Sequence, residues 1–144
     1  MIPMRAQLPD IFGPIVNGKW ANENQFMVYI EIPDKLKRPN YKHIYCNKVM
    51  KDALLNALNN IINRGYDAQV KTFDGCFMIR NTRGSPLQSV HSWGLAVDIN
   101  AATNQLNTVG DMSPELVKCF TDENFVWGGT FHRCDPMHFQ YVIE

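Results

Sequence analysis

An α+β fold is predicted by three observations. One stretch, about residues 48–64, repeats its apolar positions with helical periodicity. Several short runs are rich in β-branched and aromatic residues. No internal repeat or low-complexity segment arranges them into an array. The 144 residues fit one domain, with no room for two full ones. Hydrophobic residues make up 45% and charged residues 19%, which is a globular and not a disordered composition.

Residues 1–25 carry Pro3, Pro9, Gly13, Pro14 and Gly18 with few periodic apolar positions. They read as an irregular N-terminal arm packed on a single domain of residues 26–144. Residues 26–32, ending at Pro33, read as a strand, and 42–46 as a second short one. In the long helix, Asn47 is placed to cap the N-terminus and Gly65 follows the last turn. Val49, Met50, Ala53, Leu54, Ala57, Leu58, Ile61 and Ile62 form its core face. Lys51, Asp52, Asn56, Asn59, Asn60 and Asn63 form the solvated face. Residues 68–73 and 76–80 read as two strands joined around Asp74-Gly75, a hairpin dipeptide. Residues 95–100 alternate like a strand. Ser113-Pro114-Glu115 opens a second, shorter helix, with serine as cap, proline at the first helical position and glutamate at the positive end. Residues 138–143 read as a terminal strand.

Fourteen basic residues balance fourteen acidic ones. With no excess cation to displace phosphate counterions, non-specific nucleic-acid binding is not expected. No run of 18 apolar residues predicts a transmembrane helix. The N-terminus lacks the basic-then-apolar pattern of a secretory signal peptide, so cytoplasmic synthesis is expected, with release by some other route. Cys46, Cys76, Cys119 and Cys134 form no C-x-x-C pair and read as reduced, mostly buried thiols.

Three segments after residue 79 carry chemistry. They are Arg80-Asn81-Thr82-Arg83-Gly84-Ser85, then Ser89 to Asn100 with His91, Trp93, Gly94 and Asp98, then Trp127-Gly128-Gly129 followed by Asp135-Pro136-Met137-His138-Phe139. His91, Asp98 and His138 form a candidate three-ligand set. Catalytic zinc sites use three imidazole or carboxylate ligands and keep one position open. A turn at Gly94 can bring His91 and Asp98 onto neighbouring backbone, and a neighbouring strand can supply His138. Asp135, three residues before His138, is placed as a general base. The structural alternatives are a turn histidine at 91, a cap at 98 and an edge residue at 138. His43 and His132 lack acidic neighbours at useful spacing. Trp93 and Trp127 read as core or cleft-wall aromatics.

The pattern Ser-x-His-x-x-Gly-x-Ala-x-Asp at residues 89–98, followed by Asp135-x-x-His138, resembles the zinc D-alanyl-D-alanine carboxypeptidases (peptidase family M15). That family includes vancomycin-resistance dipeptidases and the L-alanyl-D-glutamate endopeptidases of phage endolysins. The resemblance is strong over residues 73–141. It implies a small Hedgehog/DD-peptidase-like zinc fold, an antiparallel sheet with one long and one or more short helices, and residues 26–144 as a zinc peptidase domain. It also implies zinc on His91, Asp98 and His138, with Asp135 as catalytic acid/base. The aspartate at 135, where many members carry glutamate, resembles the endolysin branch. Arg80 best matches the arginine that stabilises the substrate carbonyl or a peptide carboxylate, and Arg83 is the reserve candidate. Ser89 matches a supporting residue, with Arg83, Trp93 and Trp127 expected to contact substrate.

The implied activity is hydrolysis of an amide in the peptide stem of peptidoglycan by a monomer that acts in the periplasm or cell wall after release, or from a virion. An L-alanyl-D-glutamate endopeptidase is the first reading. A D-alanyl-D-alanine carboxypeptidase or dipeptidase is the second, and a non-catalytic protein that keeps the zinc fold is the third.

Overall fold

A computed structural model describes residues 1–39 and 41–144. In chain order the elements are α1 (Leu8–Phe12), β1 (Ile15–Val16), β2 (Lys19–Trp20), α2 (Glu23–Phe26), β3 (Met27–Glu31), β4 (His43–Asn47), α3 (Lys51–Asn63), β5 (Phe73–Gly75), β6 (Ala96–Ile99), α4 (Pro114–Thr121), β7 (Val126–Trp127) and β8 (His138–Gln140). Short 3-10 turns join several of them. The fold class is α+β, as expected. Among the described residues the strands make three small antiparallel sheets in place of one: β1-β2, β3-β4 and a four-stranded sheet ordered β5-β6-β8-β7.

The long helix forms where its periodicity places it, but starts later than expected, at Lys51. Asn47 does not cap it. Its Oδ1 accepts from Val49 N at 3.0 Å, which holds a turn ahead of the helix and leaves Val49 partly exposed. Leu54, Ala57, Leu58 and Ile61 are fully buried. A large apolar side chain in such a place contributes about 1.5–3 kcal/mol. Asn60, expected in water, instead donates to Cys119 O of α4 and to the Glu123 carboxylate, and so ties the two helices together. The second helix starts as its sequence predicts. Ser113 Oγ accepts from Leu116 N at 3.1 Å, with Pro114 at the first helical position.

The hairpin expected around Asp74-Gly75 does not form. Residues 67–69 are a 3-10 turn, and β5 pairs with β6, with a bulge between Phe73 and Gly75. Residues 76–80 make no ladder because their backbone serves another segment. Met78 N donates to His91 O, and Cys76 O receives the His91 ring. β8 ends at Gln140, short of the expected residue 143.

Residues 1–25 hold α1, the β1-β2 hairpin and most of α2. Their Leu8, Phe12 and Trp20 are buried in the main core. Arg5 N donates to Ile143 O and Ile143 N to Pro3 O, so the two chain ends lie side by side. No described helix is long and apolar enough to cross a membrane.

Candidate metal centre

The centre starts from a strand register. β6 and β8 run antiparallel with Asp98 directly opposite His138. Directly opposed residues share a sheet face with Cβ atoms about 4.5–5.5 Å apart, close enough to share one ligand. His91 arrives from the 3-10 turn Val90–Trp93, which Ser89 caps by accepting from His91 N at 3.2 Å. Gly94 ends that turn in the left-handed region (φ 67°). A Cβ there would lie 2.9 Å from the Asn47 backbone nitrogen, so only glycine allows this crossing.

The result is a nearly equilateral triangle of ligand atoms. His91 Nε2 and His138 Nδ1 are 3.2 Å apart, and each is 3.3 Å from Asp98 Oδ1. All three residues are buried. Two outer contacts settle which nitrogen of each ring faces inward. His91 Nδ1 is 2.7 Å from Cys76 O, a carbonyl that only accepts, so the proton sits on Nδ1. His138 Nε2 is 2.8 Å from Gln140 Oε1, so its proton is on Nε2. Both inner nitrogens then present lone pairs to a carboxylate oxygen that has no hydrogen-bond partner. Three converging lone pairs repel unless a cation stands among them. A tetrahedral zinc with bonds of about 2.0–2.1 Å needs ligand separations of about 3.3–3.4 Å, which this triangle meets. The donor set therefore fits zinc.

A proton can take the cation's place among the three groups. Burial alone would push the Asp98 carboxyl up, but hydrogen bonds and charge from His138 and His91, when they carry that proton, outweigh burial and hold it well below the usual carboxylate range. Burial likewise opposes charging His138, and the Asp98 carboxylate outweighs it and pushes the ring's pKa up, so a proton and a metal compete for the same inner nitrogen. Asp135 differs: burial dominates and raises its carboxyl.

Asp135 sits in a loop folded back on the sheet. Its N–H donates to Gly128 O at 2.9 Å, and its own carbonyl accepts from His138 N at 3.1 Å. A Cβ on Gly128 would lie 2.4 Å from Asp135 O and 3.0 Å from His138 Cβ. The Trp-Gly-Gly segment is thus small where Asp135 and His138 press against it.

The triad and Asp135 line one cleft of about 340 Å³, together with Arg80, Arg83 and Ser89. Arg80 is pinned through its backbone. Its N–H donates to Ser92 Oγ, and its carbonyl accepts from Ser89 N and Gln88 Nε2. Its guanidinium makes no ion pair among the described residues, nor does that of Arg83. Trp93 and Trp127, expected on the cleft wall, do not line it. The Trp93 ring is core, with its indole N–H on Gly13 O, and Trp127 donates to Pro136 O. His132 lines the cleft; His43 lies on β4 and does not line it.

Arg5, Arg133, Gln140 and Glu144 also line the cleft and escaped sequence reasoning. A signal for Gln140 exists, since residues 138 and 140 of one strand share a face. Arg5 carries no such signal, because only tertiary structure brings residue 5 beside residue 144.

Residues 82–141 match a family model described as D-alanyl-D-alanine carboxypeptidase, of the M15 peptidases. No curated protein and no solved structure gives a match. The matched span holds His91, Asp98, Asp135, His138 and Arg83, and begins after Arg80. It supports an M15-type hydrolase acting on peptidoglycan and, with the His-Asp-His cluster, zinc as the metal.

Proposed function

We propose that this protein cleaves an amide bond in the peptide stem of bacterial peptidoglycan, and that the bond is L-alanyl-D-glutamate, as in phage endolysins. The observation that carries the hydrolytic reading is the lone-pair triangle of His91, Asp98 and His138 sharing a cleft with the partly buried Asp135. An aspartate at 135, where many M15 members carry glutamate, supports the endolysin type. Zinc held by the three residues would supply Lewis-acid polarisation of the scissile carbonyl and acidify a water toward pKa about 7.

The chain's own residues supply the rest. Asp135 takes the proton of the attacking water and delivers it to the leaving amine. Arg80, free of carboxylate partners among the described residues, donates to the carbonyl oxygen as it gains charge. Losing one such donor typically costs on the order of 10²–10³ in turnover. Arg83 is the alternative donor, and it lies inside the family match.

The description of the matching family favours a second reading, removal of terminal D-alanine. Purified peptidoglycan digested with the protein, with and without a chelator, separates the readings by mass spectrometry. A new amino-terminal glutamate supports the endopeptidase, and free D-alanine supports the carboxypeptidase. No fragment under either condition leaves a non-catalytic zinc protein. Asp135→Ala is expected to abolish cleavage and keep zinc, whereas His91→Ala and His138→Ala lose zinc. Full activity in Asp135→Ala refutes the base assignment.

A further inference from the structure

The contacts behind His138 continue past Gln140. The Gln140 amide nitrogen donates to Val142 O at 2.9 Å and approaches Glu144 Oε1 at 3.3 Å. Both partners are acceptors, so the amide nitrogen must face them and its oxygen must face His138. The Glu144 carboxylate is gripped at both oxygens by Arg5, Nε to Oε2 at 2.5 Å and Nη2 to Oε1 at 2.9 Å. Arg5 is itself held by its backbone bond to Ile143, and its Nη1 donates to Gln88 O, just ahead of the His91 turn. Gln140 is fully buried, so a lost partner would leave a buried polar group unpaired.

We infer that Gln140, Glu144 and Arg5 form a positioning relay that locks His138 in the tautomer offering Nδ1 to the metal, so that the N-terminal segment sets metal affinity. This inference rests on the zinc reading above. An imidazole free to carry its proton on Nδ1 would point an N–H at Asp98 and the metal, and binding would first have to move that proton. The Val142 carbonyl and the Glu144 carboxylate prevent this at two bonds' distance. They fix the amide, and the amide fixes the ring. Arg5 keeps the carboxylate in place and joins the segments before His91 and after His138. None of the three relay residues has to touch substrate for this role.

Outer-shell partners of metal-bound histidines are typically worth 10–100-fold in affinity. The test measures zinc affinity by chelator competition on the full chain, with melting of the metal-free protein as a folding control. Gln140→Met keeps the size and removes the acceptor, and is expected to weaken zinc 10–100-fold. Gln140→Glu restores an acceptor to His138 and is expected to bind more tightly than Gln140→Met. Arg5→Met is expected to weaken zinc by less than Gln140→Met. The double variant should lose less than the product of the two single losses, because both act through one ring. If Gln140→Met does not fold, nitrogen chemical shifts of His138 in the metal-free wild type decide: a proton on Nε2 supports the relay, and one on Nδ1 overturns it. Wild-type zinc affinity in Gln140→Met also overturns the relay and leaves the metal centre standing. If wild type and His91→Ala bind zinc equally poorly, the metal centre itself fails, and the relay with it.

Discussion

Asp98 and Asp135 are both aspartates lining one cleft, and their surroundings push them in opposite directions. Asp98 faces two imidazoles whose hydrogen bonds and charge, when protonated, hold its carboxyl well below the usual range, the ionised form that binding a metal would require. Asp135 is half-buried with no hydrogen-bond donor on its carboxylate among the described residues, and burial raises it, as suits a group that takes up and returns a proton. The sign of the pH effect follows. A base works only when deprotonated, so kcat/KM should fall as pH drops through the Asp135 pKa. Because that pKa is raised, the acid limb should lie above the usual aspartate value of about 3.9. A pH–rate profile on a soluble muropeptide checks this. A limb at or below the ordinary value would remove Asp135 as the group responsible.

At the scale of elements, local chemistry succeeds where one segment satisfies itself. Ser113-Pro114-Glu115 starts α4 because cap, proline and acidic residue all act within one turn. Ser113→Ala should therefore cost about 1 kcal/mol, seen as a lower urea midpoint, with zinc affinity unchanged. A loss of zinc on that substitution would show that α4 is coupled to the centre. Local chemistry fails where the partner is distant. Asp74-Gly75 has hairpin composition, yet β5 pairs with β6, and the backbone of residues 76–80 supports His91. The Asn47 side chain has the chemistry of a cap and spends it on a turn and on Trp93 O.

At the scale of the molecule, Leu8, Phe12 and Trp20 of the N-terminal residues enter the main core. Phe12 is buried and packs edge-on against Phe26 at 5.0 Å. Phe12→Ala should cost about 3–5 kcal/mol in a single cooperative transition, measured by urea unfolding. A change within error would mean that residues 1–25 only lie on a domain that folds without them. The balanced net charge of the chain hides a local excess. Arg80, Arg83 and Arg133 line the cleft without acidic partners among the described residues, while Arg5 is neutralised by Glu144.

The sequence by itself determined the α+β class, the two main helices, the strands carrying Asp98 and His138, and the identity of the chemically able residues. Each depends on periodicity, caps or residue type within a few positions. Only the tertiary structure decided the register that sets Asp98 against His138, the inward nitrogen of each ring, and the exclusion of Trp93 and Trp127 from the cleft. It alone brought Arg5 to Glu144. The physical reason is that these depend on backbone carbonyls and on contacts between residues far apart in the chain. A carbonyl such as Cys76 O is present at every position and leaves no mark in a sequence until folding gives it a partner.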